Sequence, residues 1–125
     1  MRYKSVILGF SFFFLMATVP GKGHLSFEES FRDLERVKQG GIYSYSFIFA
    51  NVGEKRVKIS SVIAFSDCLT IMPLKDSLYE NDEDGEIIIE FDTNKHAKGD
   101  FAFAIDVNSN ADNKKVKLKL FGTLE

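Results

Sequence analysis

Cysteine, tryptophan and histidine are nearly missing from this chain. Its 125 residues include one cysteine, Cys68, no tryptophan, and two histidines, His24 and His96. A single cysteine rules out an intramolecular disulfide, so packing alone must hold the fold. The same scarcity removes most metal chemistry. A zinc site wants three or four ligands at defined spacing, which one cysteine and two scattered histidines do not supply. A nucleophilic site would need Cys68 or a serine beside a histidine base and an orienting group, and nothing in the order of residues brings His96 to Cys68. Also absent are a Gly-flanked nucleophile elbow, a phosphate-binding glycine loop and a metalloprotease helix. No catalytic, cofactor-binding or metal-ligating residue is assigned, no cofactor is expected, and the chain is read as a non-enzyme.

The lack of tryptophan also weighs against a sugar-binding platform. Tyr43, Tyr45 and Tyr79 would have to provide it, yet Tyr43 and Tyr45 alternate in phase with Phe47 and Phe49 and read as core. Low-complexity stretches, internal repeats and linkers are missing too, which leaves one domain. At roughly 100 residues such a domain buries about two-thirds of the surface its unfolded chain exposes, enough to fold without a metal or a staple.

The one long apolar run is N-terminal. Arg2 and Lys4 precede an almost unbroken apolar stretch from Val6 to Val19, and Pro20 ends it. That order is the pattern of a secretion signal, and the run falls short of the roughly 20 residues of a comfortable membrane span. Gly21 and Gly23 place small side chains at the positions a signal peptidase inspects. The expected division is therefore a signal peptide over 1–23 and a domain over 24–125, with an uncleaved N-terminal anchor as the competing reading. No cysteine directly follows the signal to carry a lipid, so the expected product is a soluble, periplasmic or secreted protein, not inserted in a membrane after cleavage. Losing Arg2, Lys4 and Lys22 changes the formal charge from −2 to −5. An acidic domain argues against nucleic acid and anionic membranes as partners.

Beyond Ser26 the apolar residues recur with period two, which belongs to strands. Tyr43, Tyr45, Phe47 and Phe49 share a face, with Ser44 and Ser46 opposite. Turn chemistry at Asn51, Gly53 and Glu54 follows, then Val57, Ile59, Ile63 and Phe65 with Lys58 and Ser60 on the wet side, and the pair reads as a hairpin. Glu86 to Phe91 holds three consecutive isoleucines and reads as a central or doubly buried strand. Phe101, Phe103, Ile105 and Val107 alternate with Ala102, Ala104, Asp106 and Asn108. Finally Val116, Leu118 and Leu120 alternate with Lys115, Lys117 and Lys119, a strand expected to close the sheet. Leu25–Phe31 and Leu34–Val37 are short and mixed. Their spacing also fits one helical turn, but Gly40 and Gly41 follow too soon for a stable helix, so short edge strands are expected. About seven strands with turns every ten residues or so predict an all-β, immunoglobulin-like β-sandwich preceded by a signal-peptide helix.

Between Phe27 and Gly122 stand Gly40 and Gly41, then Phe47, Phe49, Asn51 and Gly53, then Val57 and Ile59, Ser66 to Thr70, Phe91 to Thr93, Gly99, Phe101, Ser109, Asn110 and Gly122. Together these landmarks resemble a bacterial family of exported domains of unknown function, related to the Hydin-type (ASH) and major-sperm-protein-like immunoglobulin folds. Family members often carry Cys-Gly-Cys-Thr where this chain has Ser66, Asp67, Cys68, Leu69 and Thr70, and one of the two cysteines is absent. A Pro-Gly turn common before the Ile-rich strand is replaced by Asn81 to Gly85, without proline. The resemblance implies an Ig-like fold and no known enzyme activity.

Two features remain to be placed. Glu80 to Gly85 is acidic, but as an EF-hand it would put Phe91 where a bidentate Glu is required and strand residues where a helix should follow, which excludes that motif. Cys68 reads as a small buried hydrophobe, with an intermolecular disulfide or a reactive thiol as the alternative. The expected function is a non-catalytic exported protein-interaction or structural module of the bacterial cell envelope, whose protein partner adds a strand to an edge or docks on a sheet face. The alternative is a small metal- or glycan-binding protein using Glu80 to Glu86 or the segment around Cys68.

Overall fold

The computed structural model describes residues 20–125. The expected signal helix and the apolar run of the competing anchor fall on 1–19, outside the described residues. Nine strands follow in order: β1 (Leu25–Phe27), β2 (Phe31–Val37), β3 (Ile42–Asn51), β4 (Val57–Ala64), β5 (Leu69–Ile71), β6 (Leu78–Tyr79), β7 (Asp84–Asp92), β8 (Gly99–Ser109) and β9 (Lys115–Leu124). A single 3-10 turn at Thr93–Lys95, capped by the Asp92 carboxylate, joins β7 to β8. Two sheets form, a four-stranded one in the order β1-β3-β7-β5 and a five-stranded one in the order β2-β9-β8-β4-β6. The domain is an all-β, immunoglobulin-like sandwich.

The period-two residues make the core. Phe47, Phe49, Ile87, Ile89 and Phe91 from the first sheet meet Val57, Ile59, Phe101, Ile105, Val107, Leu118 and Leu120 from the second. Phe91 is fully buried, with its ring centroid 5.0 Å from that of Phe101 and 5.1 Å from that of Phe103. Edge-on and tilted ring contacts of this kind add about 0.5–1.5 kcal/mol per pair beyond area burial. The three isoleucines lie on β7, central between β3 and β5 as expected, and Leu25–Phe27 and Phe31–Val37 are edge strands.

Three expectations are corrected. First, β3 and β4 are not a hairpin: β3 pairs with β7 and β1, while β4 pairs with β8 and β6 in the other sheet. The connection at Asn51 to Arg56 crosses the sandwich, because the apolar faces of both strands are buried only when they oppose each other. Second, Ile63 and Phe65 point outward and are 43% and 60% exposed. The β4–β8 register shifts between Ile59 and Ser61, and one extra residue in a strand reverses every later side chain. Val62 and Ala64 pack against the core instead. Third, β9 does not close its sheet. The chain leaves β1, which is antiparallel to β3, and switches sheets so that β2 lies parallel to β9 on the outside.

Asn51 ties this architecture together at the crossing. Its side chain has no exposed surface. Oδ1 accepts from the His24 and Gly53 amides, and Nδ2 donates to the Lys55 and Tyr79 carbonyls.

Candidate interaction surface

Alternation on β9 carries the chemistry of the outer face of the five-stranded sheet. With Leu118 and Leu120 buried inward, Lys115, Lys117 and Lys119 must project outward on the same strand. Register then sets their neighbours. Asn108 stands opposite Lys115, Asp106 opposite Lys117, Ala104 and Phe31 opposite Lys119, and Ala102 and Asp33 opposite Phe121. Phe31 and Phe121 stack with centroids 6.2 Å apart at one end of the face. At the other end, the Lys117 ammonium lies 5.9 Å from the Phe65 ring centroid, and Ile63 stands beside Asp106. Phe31 is 57% exposed. Ala102 and Ala104 keep the middle low, so an incoming surface would reach the backbone of β8 closely between a row of ammonium groups and two apolar margins.

Asp106, expected on the wet side, is nearly buried although it points outward. The ammonium groups of Lys117 and Lys115 approach its carboxylate at 3.2 and 3.7 Å, and their stems cover it. A buried carboxylate is tolerated when cations compensate its lost hydration, and long lysine stems lie along such surfaces with their heads in water. Lys119 has no carboxylate partner at ion-pair distance among the described residues. Lys119 therefore leaves an uncompensated cation in the row, on a domain that is acidic as a whole.

The other side of the sandwich has the opposite character. On β7 the outward positions are Asp84, Glu86, Ile88, Glu90 and Asp92, paired with Ala50, Ile48, Ser46, Ser44 and Ile42 of β3. No lysine or arginine occupies an outward position on those two strands. The sheet edges differ in the same way. β1 and β5 are three residues each, too short to invite pairing. Arg32 seals one open side between the sheets by donating to the Ser46 carbonyl at 2.9 Å, with its guanidinium over Phe47. β6 pairs with Val57 and Lys58 of β4 and the Ser77 carbonyl accepts the Ile59 amide, which leaves Ser60–Ala64, with Ile63, as an edge without a strand partner, next to Phe65.

A shallow groove of about 690 Å³ lies where β2 bulges over β9, beside the Phe31–Phe121 stack. Two of its acidic groups are partnered locally: Asp33 accepts from the Glu35 amide, and Thr123 donates to Asp100. Glu35 sits at φ 59°, the left-handed region, which that Asp33 contact accommodates.

Of the remaining residues singled out by the sequence, Cys68 and His96 come into one neighbourhood around Lys95, and the others are dispersed. Cys68 is buried, with Sγ 3.4 Å from the Lys95 carbonyl. The His96 ring bonds the adjacent Ala97 carbonyl and lies edge-on to Phe101 and Phe103. His24 is at the far end of the chain fold, paired with Asp112 at 2.6 Å. That contact, chiefly the imidazole hydrogen bond, holds the Asp112 carboxyl below its ordinary value. Tyr79 is buried and donates to the Asp76 carbonyl, and Tyr43 donates to the Lys38 carbonyl, so neither offers a flat free ring. Glu80 to Gly85 forms a turn in which the Glu83 carboxylate accepts the Glu80 amide and Asp82 adopts φ 66°. Among the described residues no group of three or more His, Cys, Asp or Glu side chains is arranged to hold a metal ion. Sequence reading missed the basic face as a site, although three lysines at alternate positions were its signal.

No curated protein matches the chain significantly. Among solved structures, a protein of unknown function from Porphyromonas gingivalis W83 matches with a TM-score of 0.70 and 15% identity over 88% of this chain and 49% of that one. The ASH/PapD-like domain 7 of human CEP192 matches at 0.67 and 14%, over 87% of this chain and 90% of that one. The secreted serine protease VesC from Vibrio cholerae matches at 0.64 and 15%, over 80% of this chain. This chain spans about half of the Porphyromonas protein and 23% of the protease. At such identities the likeness is one of fold, and it agrees with the sandwich described above. A family model matches residues 25–124, nearly the whole sandwich, and the chain belongs to that family, the proteins of unknown function DUF1573.

Proposed function

We propose that this protein is an exported, non-catalytic protein-interaction module of the bacterial cell envelope that docks its partner on the outer face of the five-stranded sheet. The observation that supports this reading is the row of Lys115, Lys117 and Lys119 on an otherwise acidic domain, bordered by exposed Phe31, Ile63 and Phe65. Apolar rims around cations suit a partner surface that presents carboxylates among apolar side chains. Complementary charge of this kind speeds encounter and sets specificity. Cys68 lies against the Lys95 carbonyl, next to His96, but the His96 ring bonds the Ala97 carbonyl and not the thiol, and the described residues of the face include no nucleophile and base in contact.

A photo-crosslinking side chain placed at Ala104 in the exported protein tests the reading. One recurrent crosslinked species, lost in the K117E/K119E double variant and weakened at high salt, is expected. Crosslinks that are unchanged by the charge reversal would refute docking on this face.

A further inference from the structure

We infer that the chain from Lys22 onward is an integral part of the sandwich, so that signal processing occurs no later than the Gly21–Lys22 bond. This places the cut upstream of the position before His24 that small residues at 21 and 23 suggest. The inference rests on the export reading above.

The geometry of residues 21–24 carries the argument. The Gly23 carbonyl accepts the Asp112 amide at 2.9 Å, and the Lys22 carbonyl accepts the Lys55 amide at 3.2 Å. The Gly21 amide donates to the Glu54 carboxylate. The His24 carbonyl accepts the Val52 amide at 2.9 Å, and its amide reaches the buried Asn51 Oδ1. Residues 22 and 23 are thus held by backbone hydrogen bonds between the β3–β4 crossing and the β8–β9 turn.

Packing adds an independent constraint. Gly23 is buried, and a Cβ there would stand 2.6 Å from Val57 Cγ2 and 3.0 Å from the Lys55 carbonyl. Gly53 faces it: a Cβ on Gly53 would overlap the Lys22 carbonyl and come within 2.7 Å of the Gly23 Cα. The His24 amide nitrogen, 2.6 Å from the same point, restricts Gly53 in either product, so the constraint that bears on the cut is that of Gly23 itself, which packs against Val57 and the Lys55 carbonyl only if Lys22 and Gly23 stay in the mature protein. Cutting before His24 would also leave the Asp112 and Lys55 amides without their acceptors and put a new ammonium group beside Asn51, at the node that holds the crossing. Cutting after Gly21 keeps both acceptors, and it puts the new Lys22 ammonium near the Glu54 carboxylate that Gly21 contacts. Val19 and Gly21 then occupy the two positions inspected by the peptidase, in place of Gly21 and Gly23.

The test is the intact mass of the protein processed from the full-length chain in a bacterial host, for the wild type and for Gly23→Leu. The expected wild-type product begins at Lys22 or upstream. The variant is expected to be cut at the same bond, to carry the added mass of leucine, and to melt about 5 °C or more lower because the side chain is forced against Val57. Should Gly23→Leu not fold, the wild-type mass alone decides. A wild-type product beginning at His24, or processing blocked by Gly23→Leu, would overturn the inference while leaving export intact. An uncut wild-type chain carried across the membrane would overturn the cleavage in favour of an N-terminal anchor, and an uncut chain left in the cytoplasm would overturn the export reading itself.

Discussion

Replacing Asn51 by leucine removes four side-chain hydrogen bonds at one fully buried point. Two backbone amides, of His24 at 3.2 Å and Gly53 at 3.0 Å, lose their acceptor, and two carbonyls, of Lys55 at 2.8 Å and Tyr79 at 2.9 Å, lose their donor. A buried polar group left unpaired costs about 1–3 kcal/mol. Four of them would cost at least about 4 kcal/mol if all stayed dry. Lys55 is exposed and His24 half-buried, so water can reach two of the four and the expected loss is about 3–4 kcal/mol. That is a large part of the roughly 5–15 kcal/mol by which a domain is stable. It corresponds to a Tm lower by about 12 °C or more in a domain of this size. Urea unfolding followed by circular dichroism measures it, with an unchanged m value showing that the folded state is otherwise intact. Asn51→Asp separates the two halves of the network. It keeps the acceptor for the amides but turns an oxygen toward the Lys55 and Tyr79 carbonyls, raising the folded pKa of the new acid. Its penalty should therefore grow as the pH rises above the ordinary carboxylate value near 4. A loss below about 1 kcal/mol for Asn51→Leu would refute the view that this residue holds the crossing.

Phe91→Ala should cost about 3–5 kcal/mol by calorimetry, because the ring is fully buried between Phe101 and Phe103 and leaves a cavity. The Asp112 carboxyl, lowered by His24, contributes stability that is complete above its ordinary value of 3.8 and is lost as the pH falls through its lower folded value. Asp112→Asn should flatten that acid limb in a pH series of melting curves. The Cys68 thiol, shielded in the core against Lys95, should resist iodoacetamide in the native protein and react on unfolding. Rapid native alkylation would return it to the list of functional residues.

Strand identity was legible because alternation is a local property. Phe47 and Phe49, then Phe101, Phe103, Ile105 and Val107, and Leu118 with Leu120 all read as inward, and all are core. The short segments around Leu25 and Leu34 were legible for a different reason: glycines at 40 and 41 leave no room for a helix. The basic face was present as three alternating lysines, but a row of lysines alone is also what any solvated strand shows. What distinguishes it is the company brought by register, Phe31 and Phe121 from β2 and β9 and Phe65 from beyond β4.

The sequence by itself determined the class of structure and the two faces of each strand, since a period of two and turn residues are set within a few positions of chain. Tertiary structure decided which sheet each strand joins, because burying the apolar sides of β3 and β4 against each other outweighs the short connection that suggested a hairpin. It also decided the outward turn of Ile63 and Phe65, which follows from one register shift in β4. The burial of Asp106 of β8 beside Lys115 and Lys117 of the neighbouring strand β9 was decided there too, as was the seating of Lys22 and Gly23 against Gly53. Each of these depends on contacts between residues far apart in the chain, whose energies are set only when the sheets close on one another.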